Sequence, residues 1–143
     1  MRRCYLDTSL LVASLLHEAG TAAAVGFLQA HRQQPLLISA WVSTELASAL
    51  ALLVRRTAIT PQESQDAWHR YGVLRAHRLQ DVPLTAEDFE AAARLCLAQA
   101  PLRAGDALHL AICQRLNLQL VSFDRGLCKA AVHHQVAHKQ LSI

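Results

Sequence analysis

Short apolar runs alternate with stretches of helical periodicity from one end of this chain to the other, and that alternation constrains the fold more than any other feature. Cys4-Tyr5-Leu6, Leu36-Leu37-Ile38-Ser39, Leu79-Gln80-Asp81-Val82 and Leu118-Gln119-Leu120-Val121-Ser122 are too short for helices, and the first two are almost continuously apolar. Runs of that kind read as strands buried on both faces of a parallel sheet, with a further short strand expected at 136–137. Between them lie helical stretches at 10–16, 21–31, from 43 or 44 to about 56, from 60 onward, 85 to about 100, from 104 or 105 to 116, and 127–132.

Start and stop signals sharpen several of these. Thr60-Pro61-Gln62-Glu63 combines an N-cap, a proline in the first turn and a capping-box glutamate, and Thr85-Ala86-Glu87-Asp88 opens another helix with acids in its first turn. Pro101 is expected to end that second helix. Strands joined by helices predict an α/β three-layer sandwich around a central, mostly parallel sheet of four to five strands. The helix-rich middle, 42–76, reads as an α-hairpin added at one end. Nothing marks a linker or a repeat, so 1–143 is expected to be a single domain.

Composition narrows the class. In 143 residues, 52% are apolar and 17% charged, which describes an ordered chain with one sizeable core. A formal charge of +3 is compatible with a polyanionic partner without requiring one. Cys4, Cys96, Cys113 and Cys128 form no CxxC pair, which argues against a zinc knuckle and for reduced, mostly buried thiols. No run is long enough to cross a bilayer and no signal peptide precedes the first strand, so no membrane association and a cytoplasmic location are expected. P-loop, GxGxxG and GxSxG patterns are missing from the sequence.

Against this frame the acids are not scattered. Asp7 follows the first strand and is followed by two hydroxyl residues, Thr8 and Ser9. Glu45 is expected in the first turn of the helix after the second strand. Asp106 falls in the first turn of the helix before the fourth strand, and Asp124 follows that strand. Strand exits in a parallel sheet share one edge, where ligands bind in open α/β folds. Asp106 joins that edge if its helix N-terminus folds back over it. Each acid taken alone is also a good helix cap. Four carboxylates together repel one another, and a hard cation such as Mg²⁺ or Mn²⁺ is the economical counter-charge. Glu63, Asp66, Asp81, Glu87, Asp88 and Glu90 read instead as solvated charge.

Tyr5-Leu6-Asp7-Thr8-Ser9, Ser43-Thr44-Glu45-Leu46, Gly105-Asp106-Ala107-Leu108-His109-Leu110-Ala111 and Ser122-Phe123-Asp124-Arg125 occur in the order and spacing of PIN-domain ribonucleases, and resemble most the small VapC-type toxins. The resemblance covers essentially the whole chain. It implies a PIN-like fold and a Mg²⁺- or Mn²⁺-dependent endoribonuclease whose catalytic and metal-holding acids are Asp7, Glu45, Asp106 and Asp124. Ser122 matches a hydroxyl position of the family. It further implies an RNA substrate, a small antitoxin protein seated between the α-hairpin and the acid edge, and a homodimer. Gly105 and His109 stand where such toxins often carry aromatic residues. The rival readings are a catalytically silent PIN-like binding module and a DNA- or structure-directed nuclease of the same fold.

Lesser candidates complete the reading. His109, one turn beyond Asp106, is placed to reach a phosphate or to pack, and Arg125 to hold a phosphate or moderate the acids. Arg55, Arg56, Arg70, Arg75 and Arg78 form the densest basic region, a candidate RNA-backbone contact or a solvated face. Trp41, Trp68 and Tyr71 read as packing residues, and His133, His134 and His138 as a solvated tail more than a transition-metal site.

Overall fold

The strand that the chain makes first is the middle strand of the sheet. In the computed structural model, which describes residues 2–98, 100 and 102–143, the elements are β1 (Cys4–Leu6), α1 (Thr8–Leu15), α2 (Thr21–Ala30), β2 (Leu36–Ile38), α3 (Ala40–Arg55), α4 (Pro61–His77), β3 (Leu79–Asp81), α5 (Ala86–Cys96), α6 (Ala104–Leu116), β4 (Gln119–Ser122), α7 (Arg125–His133) and β5 (His138–Gln140). The strand order is β3-β2-β1-β4-β5, every pairing parallel. Leu6 faces Val121 in register, and the Asp7 amide extends the ladder to the Val121 carbonyl at 3.2 Å.

Side-chain alternation along these strands divides the interior in two. Cys4, Leu6, Leu36, Ile38 and Val121 point to one face, where α1, α2, α3 and α4 cover them with Leu10, Leu11, Phe27, Leu46, Leu50 and Tyr71. Tyr5, Leu37 and Leu120 point to the other, under Leu95, Leu110, Ile112, Leu127 and Ala131 of α5, α6 and α7. Leu6, Leu10, Leu11, Leu36 and Ile38 are completely buried, each contributing about 1.5–3 kcal/mol relative to exposure. The capping box predicted at Thr60/Glu63 forms, and the helix start read at Thr85 turns out to carry a second one, with Asp88. Asn117, at φ 53°, turns the end of α6 back into β4, so α6 runs against the strands and its N-terminus returns to their carboxyl edge. That is the condition Asp106 needed.

Several expectations are corrected. α3 begins at Ala40, before Ser43, which moves Glu45 from the first turn to the second. Ser39 caps α3 without a side-chain bond because its hydroxyl is taken by Tyr5, 2.8 Å away. The last strand is His138–Gln140, two residues beyond the expected place; its polar edge sequence carries no hydrophobic period. α5 stops at Cys96, because the next residue, Leu97, finds nothing to bury it. Pro101, expected to end that helix, lies outside the described residues. Asp88 is not solvated charge: it is fully buried and paired with Arg115. No described helix is long and apolar enough to cross a membrane.

Candidate active site

Asp7 caps α1 at the carboxyl end of β1 and is almost fully buried. Its Oδ1 accepts from Ser9 Oγ at 2.6 Å and more weakly from the Leu10 amide, and its Oδ2 accepts from Ser122 Oγ at 2.6 Å. Burial raises its pKa, while His109, Ser122 and Ser9 pull the other way. Ser122 ties two acids together, since its hydroxyl also accepts from the Asp124 amide at 2.9 Å. Ser9 accepts from the Phe123 amide, so Thr8-Ser9 and Ser122-Phe123 lace the ends of β1 and β4. Asp124 is exposed and caps α7, accepting from the Leu127 amide at 2.9 Å.

Glu45 reaches the same edge from α3. Its Oε1 accepts from Thr8 Oγ1 at 2.6 Å and from His109 Nε2 at 2.5 Å. Burial would push this carboxyl up, but the His109 contact, Thr8 and the nearby Trp41 indole outweigh it and hold the group below its ordinary value. Trp41 Nε1 is buried close to Glu45 but makes no hydrogen bond of ordinary geometry.

Asp106 differs from the other three. It is half-buried in the first turn of α6 and has no hydrogen-bond partner among the described residues. Burial, then the charge of Asp124, and then Asp7 and Glu45 push its pKa up to about 6, with only His109 opposing. The other three predicted acids therefore all act on Asp106 at the carboxyl edge. Cys128, buried nearby, feels the same field: burial and then Asp7 and Asp124 push its thiol up to about 11.

The donor chemistry suits a hard divalent cation: carboxylate and hydroxyl oxygens, no accessible thiol, and one imidazole already bonded. Among the described residues, however, no group of three or more His, Cys, Asp or Glu side chains is arranged to hold an ion as it stands. Charge and donor type fit the ion; the arrangement of the four acids in this structure does not by itself close a ligand set.

The supporting candidates divide. Thr8, Ser9 and Ser122 all touch the acids. Arg125 is exposed at the start of α7, with no partner among the described residues. His109 is only 1% exposed with both ring nitrogens engaged, which excludes direct contact with a phosphate. Of the basic region, Arg75 pairs with Asp81, Arg70 donates to the Leu15 carbonyl and Arg78 to the Leu28 carbonyl, which leaves Arg55 and Arg56 exposed and without a side-chain partner among the described residues. Tyr71 packs as expected, bonded to Ser43, but Trp68 is largely exposed. His133 and His134 stack edge to face and gather no third ligand among the described residues. Tyr5 and Ser39 were invisible as site residues in the sequence, where Tyr5 reads as one more apolar strand position.

A three-layer fold with a central parallel sheet and carboxylates gathered at its carboxyl edge defines the class. A sequence model of the PIN domain family matches residues 4–132, and the chain belongs to that family. Among solved structures it resembles the VapBC2 complex from Rickettsia felis bound to a promoter DNA fragment, with TM-score 0.73 and 13% identity over 97% of this chain and 98% of that one. It also resembles VapC20 of Mycobacterium tuberculosis, a sarcin-ricin loop cleaving toxin, at TM-score 0.66 and 21% identity over 89% and 94% of the two chains. FitAcB from Neisseria gonorrhoeae matches at TM-score 0.67 and 19% identity over 94% and 95%. No curated protein matched by sequence.

Proposed function

We propose that this chain is a metal-dependent endoribonuclease and the toxin of a toxin–antitoxin pair. The observation that carries the reading is Asp106: an unbonded carboxylate under the combined field of Asp124, Asp7 and Glu45, with no basic side chain bonded to it. Asp7, Glu45, Asp106 and Asp124 would hold Mg²⁺ or Mn²⁺, which when bound lowers the pKa of a water and neutralises charge on a phosphodiester. The chain's own contribution is placement. Ser9 and Ser122 aim Asp7, Thr8 and His109 aim Glu45, and the α6 N-terminus presents Asp106.

Beside the acids an open cleft of about 400 Å³ is lined by Thr8, Ser9, Val12, Ala13, Glu45 and Phe123. Its mixed apolar and polar walls suit a nucleotide or an apolar segment of an antitoxin. The complexes among the structural neighbours support an antitoxin partner. A homodimer is supported by α5, where Phe89 is 56% exposed beside a groove lined by Trp41, Ala92, Cys96 and Leu108. Exposed Glu87 lies in the first turn of that helix and Arg94 in its last, so two copies packed antiparallel about a twofold axis would complement each other.

The test is direct. Partner-free protein should cleave a structured RNA with Mg²⁺ or Mn²⁺, stop in EDTA, sediment as a dimer, and be silenced by co-expression with the product of the adjacent gene. Retained folding with no cleavage of RNA or DNA under any divalent ion would leave the silent binding module as the better reading.

A further inference from the structure

His109 sits on the buried side of α6 with its ring suspended between two elements. Nδ1 lies 2.7 Å from Tyr5 Oη, and Tyr5 Oη lies 2.8 Å from Ser39 Oγ. Nε2 lies 2.5 Å from Glu45 Oε1. The contact to Glu45 has one polarity. A carboxylate has no proton to give and can only accept, so Nε2 carries the proton and donates. Burial holds the Tyr5 phenol protonated, so it remains a hydrogen-bonding hydroxyl between Ser39 and the ring. Three residues anchored at the ends of β1 and β2 and on α6 thus converge, through one imidazole, on a single carboxylate oxygen.

The other oxygen of Glu45 tells the rest. A Cβ on Gly105 would lie 2.5 Å from Glu45 Oε2 and 3.2 Å from Trp41 Nε1. Gly105 is helical with no unusual backbone angle, so its value is the space it leaves. Oε2 occupies that space, directly against the first turn of α6 and beside Asp106. A glutamate on a helix has three rotatable bonds and loses conformational entropy when held in one rotamer. Here two donors fix Oε1, and an absent side chain makes room for Oε2.

We infer that His109 is a positioning residue for Glu45, with Gly105 as its steric counterpart: together they deliver Glu45 Oε2 to Asp106 at the acid cluster. The inference rests on the metal-dependent reading of those acids. It assigns His109 the work of an outer-shell partner, orienting a carboxylate without touching ion or substrate. The alternative is that His109 merely satisfies a buried network, in which case any variant that keeps the fold keeps the site.

Two amides separate these roles. In H109Q the amide nitrogen falls near the place of Nε2 and retains the bond to Glu45. In H109N it falls near Nδ1 and serves Tyr5 instead. Mn²⁺ binding to the whole chain, measured by calorimetry and by the loss of the free-ion electron paramagnetic signal, is the readout, with the melting temperature in EDTA reporting the fold. H109Q should bind Mn²⁺ within about threefold of the parent, and H109N about 10–100-fold more weakly. Gly105→Ala is the independent arm. Alanine favours a helix over glycine, so the fold should survive, while the displaced Glu45 should weaken Mn²⁺ at least about tenfold. The positioning role is overturned if folded H109N or Gly105→Ala binds Mn²⁺ as the parent does, or if H109Q and H109N lose affinity equally; in each case the metal reading survives. A parent that binds no more Mn²⁺ than Asp106→Asn removes the metal reading and this inference with it.

Discussion

Asp88 and Asp106 occupy the same local position, the third residue of a helix, on neighbouring helices that pack along one another. Their environments are opposite. Asp88 is fully buried, receives Arg115 through Nε at 2.7 Å and Nη2 at 3.0 Å, and closes a capping box with Thr85. Burial alone would raise its pKa, but Arg115 and Thr85 win and hold it low. Asp106 has no hydrogen-bond partner among the described residues and sits at about 6. The helix that carries Asp106 also supplies the arginine, and delivers it to Asp88. Identical chemistry at an identical helical position becomes a structural ion pair in one place and an uncompensated charge in the other. A fold that neutralises one buried acid so completely leaves the second without a basic hydrogen-bond partner among the described residues.

The largest test of that contrast is catalytic. Asp106→Asn should lower RNA cleavage about a hundredfold or more, because a ligand and a charge are lost together. Asp88→Asn should leave the rate within about threefold once the fraction folded is accounted for. Equal losses in steady-state assays would erase the distinction.

Stability should reverse the order. Asp88→Asn strands Arg115 against a buried neighbour and should lower the unfolding free energy by about 2 kcal/mol in urea titrations. Asp106→Asn, measured in EDTA, should match or exceed the parent because it relieves repulsion. Were Asp106 only a helix cap, its loss should instead cost about 0.5–2 kcal/mol.

The smallest effect is in the pH profile of the metal-free protein. A carboxyl whose folded pKa is raised binds protons more readily folded than unfolded, so Asp106 should add stability as pH falls through about 6 toward about 4, and Asp7 acts in the same direction. Glu45 and Asp88 are lowered, and their contribution should fade as pH falls below about 4. The two limbs predict maximal stability between about pH 4 and 5. Asp106→Asn should flatten the upper limb by about 1 kcal/mol, allowing for solvent screening at a half-buried group.

Much of this was legible because it is local. Strand-length apolar runs and capping boxes placed β1, β2, β4, α4 and α5, and strand exits placed Asp7 and Asp124. What was not legible depends on partners distant in sequence. The start of α3 carries no side-chain cap, since Ser39 is spent on Tyr5, so Glu45 was placed one turn early. The capping role of Asp88 could be read from Thr85, but not the arginine 27 residues further on that buries it. His109 reads in sequence first as a packed residue and second as a phosphate contact; its actual partners, Tyr5 and Glu45, are brought to its two nitrogens by the sheet and by α3.

The central place of β1 also sets a clock. Asp7 precedes its partner Ser122 by 115 residues, so β1 is completed only when β4 slides in beside it. Until then Asp7 lacks Ser122, the Val121 carbonyl and any neighbour at Asp124. A parallel strand pair joined across most of the chain closes late, because every intervening residue must be ordered first. A growing polypeptide therefore carries Asp7 through the synthesis of every element between β1 and β4 with no completed site around it. The acid edge comes into being in one step, when β4 docks beside β1.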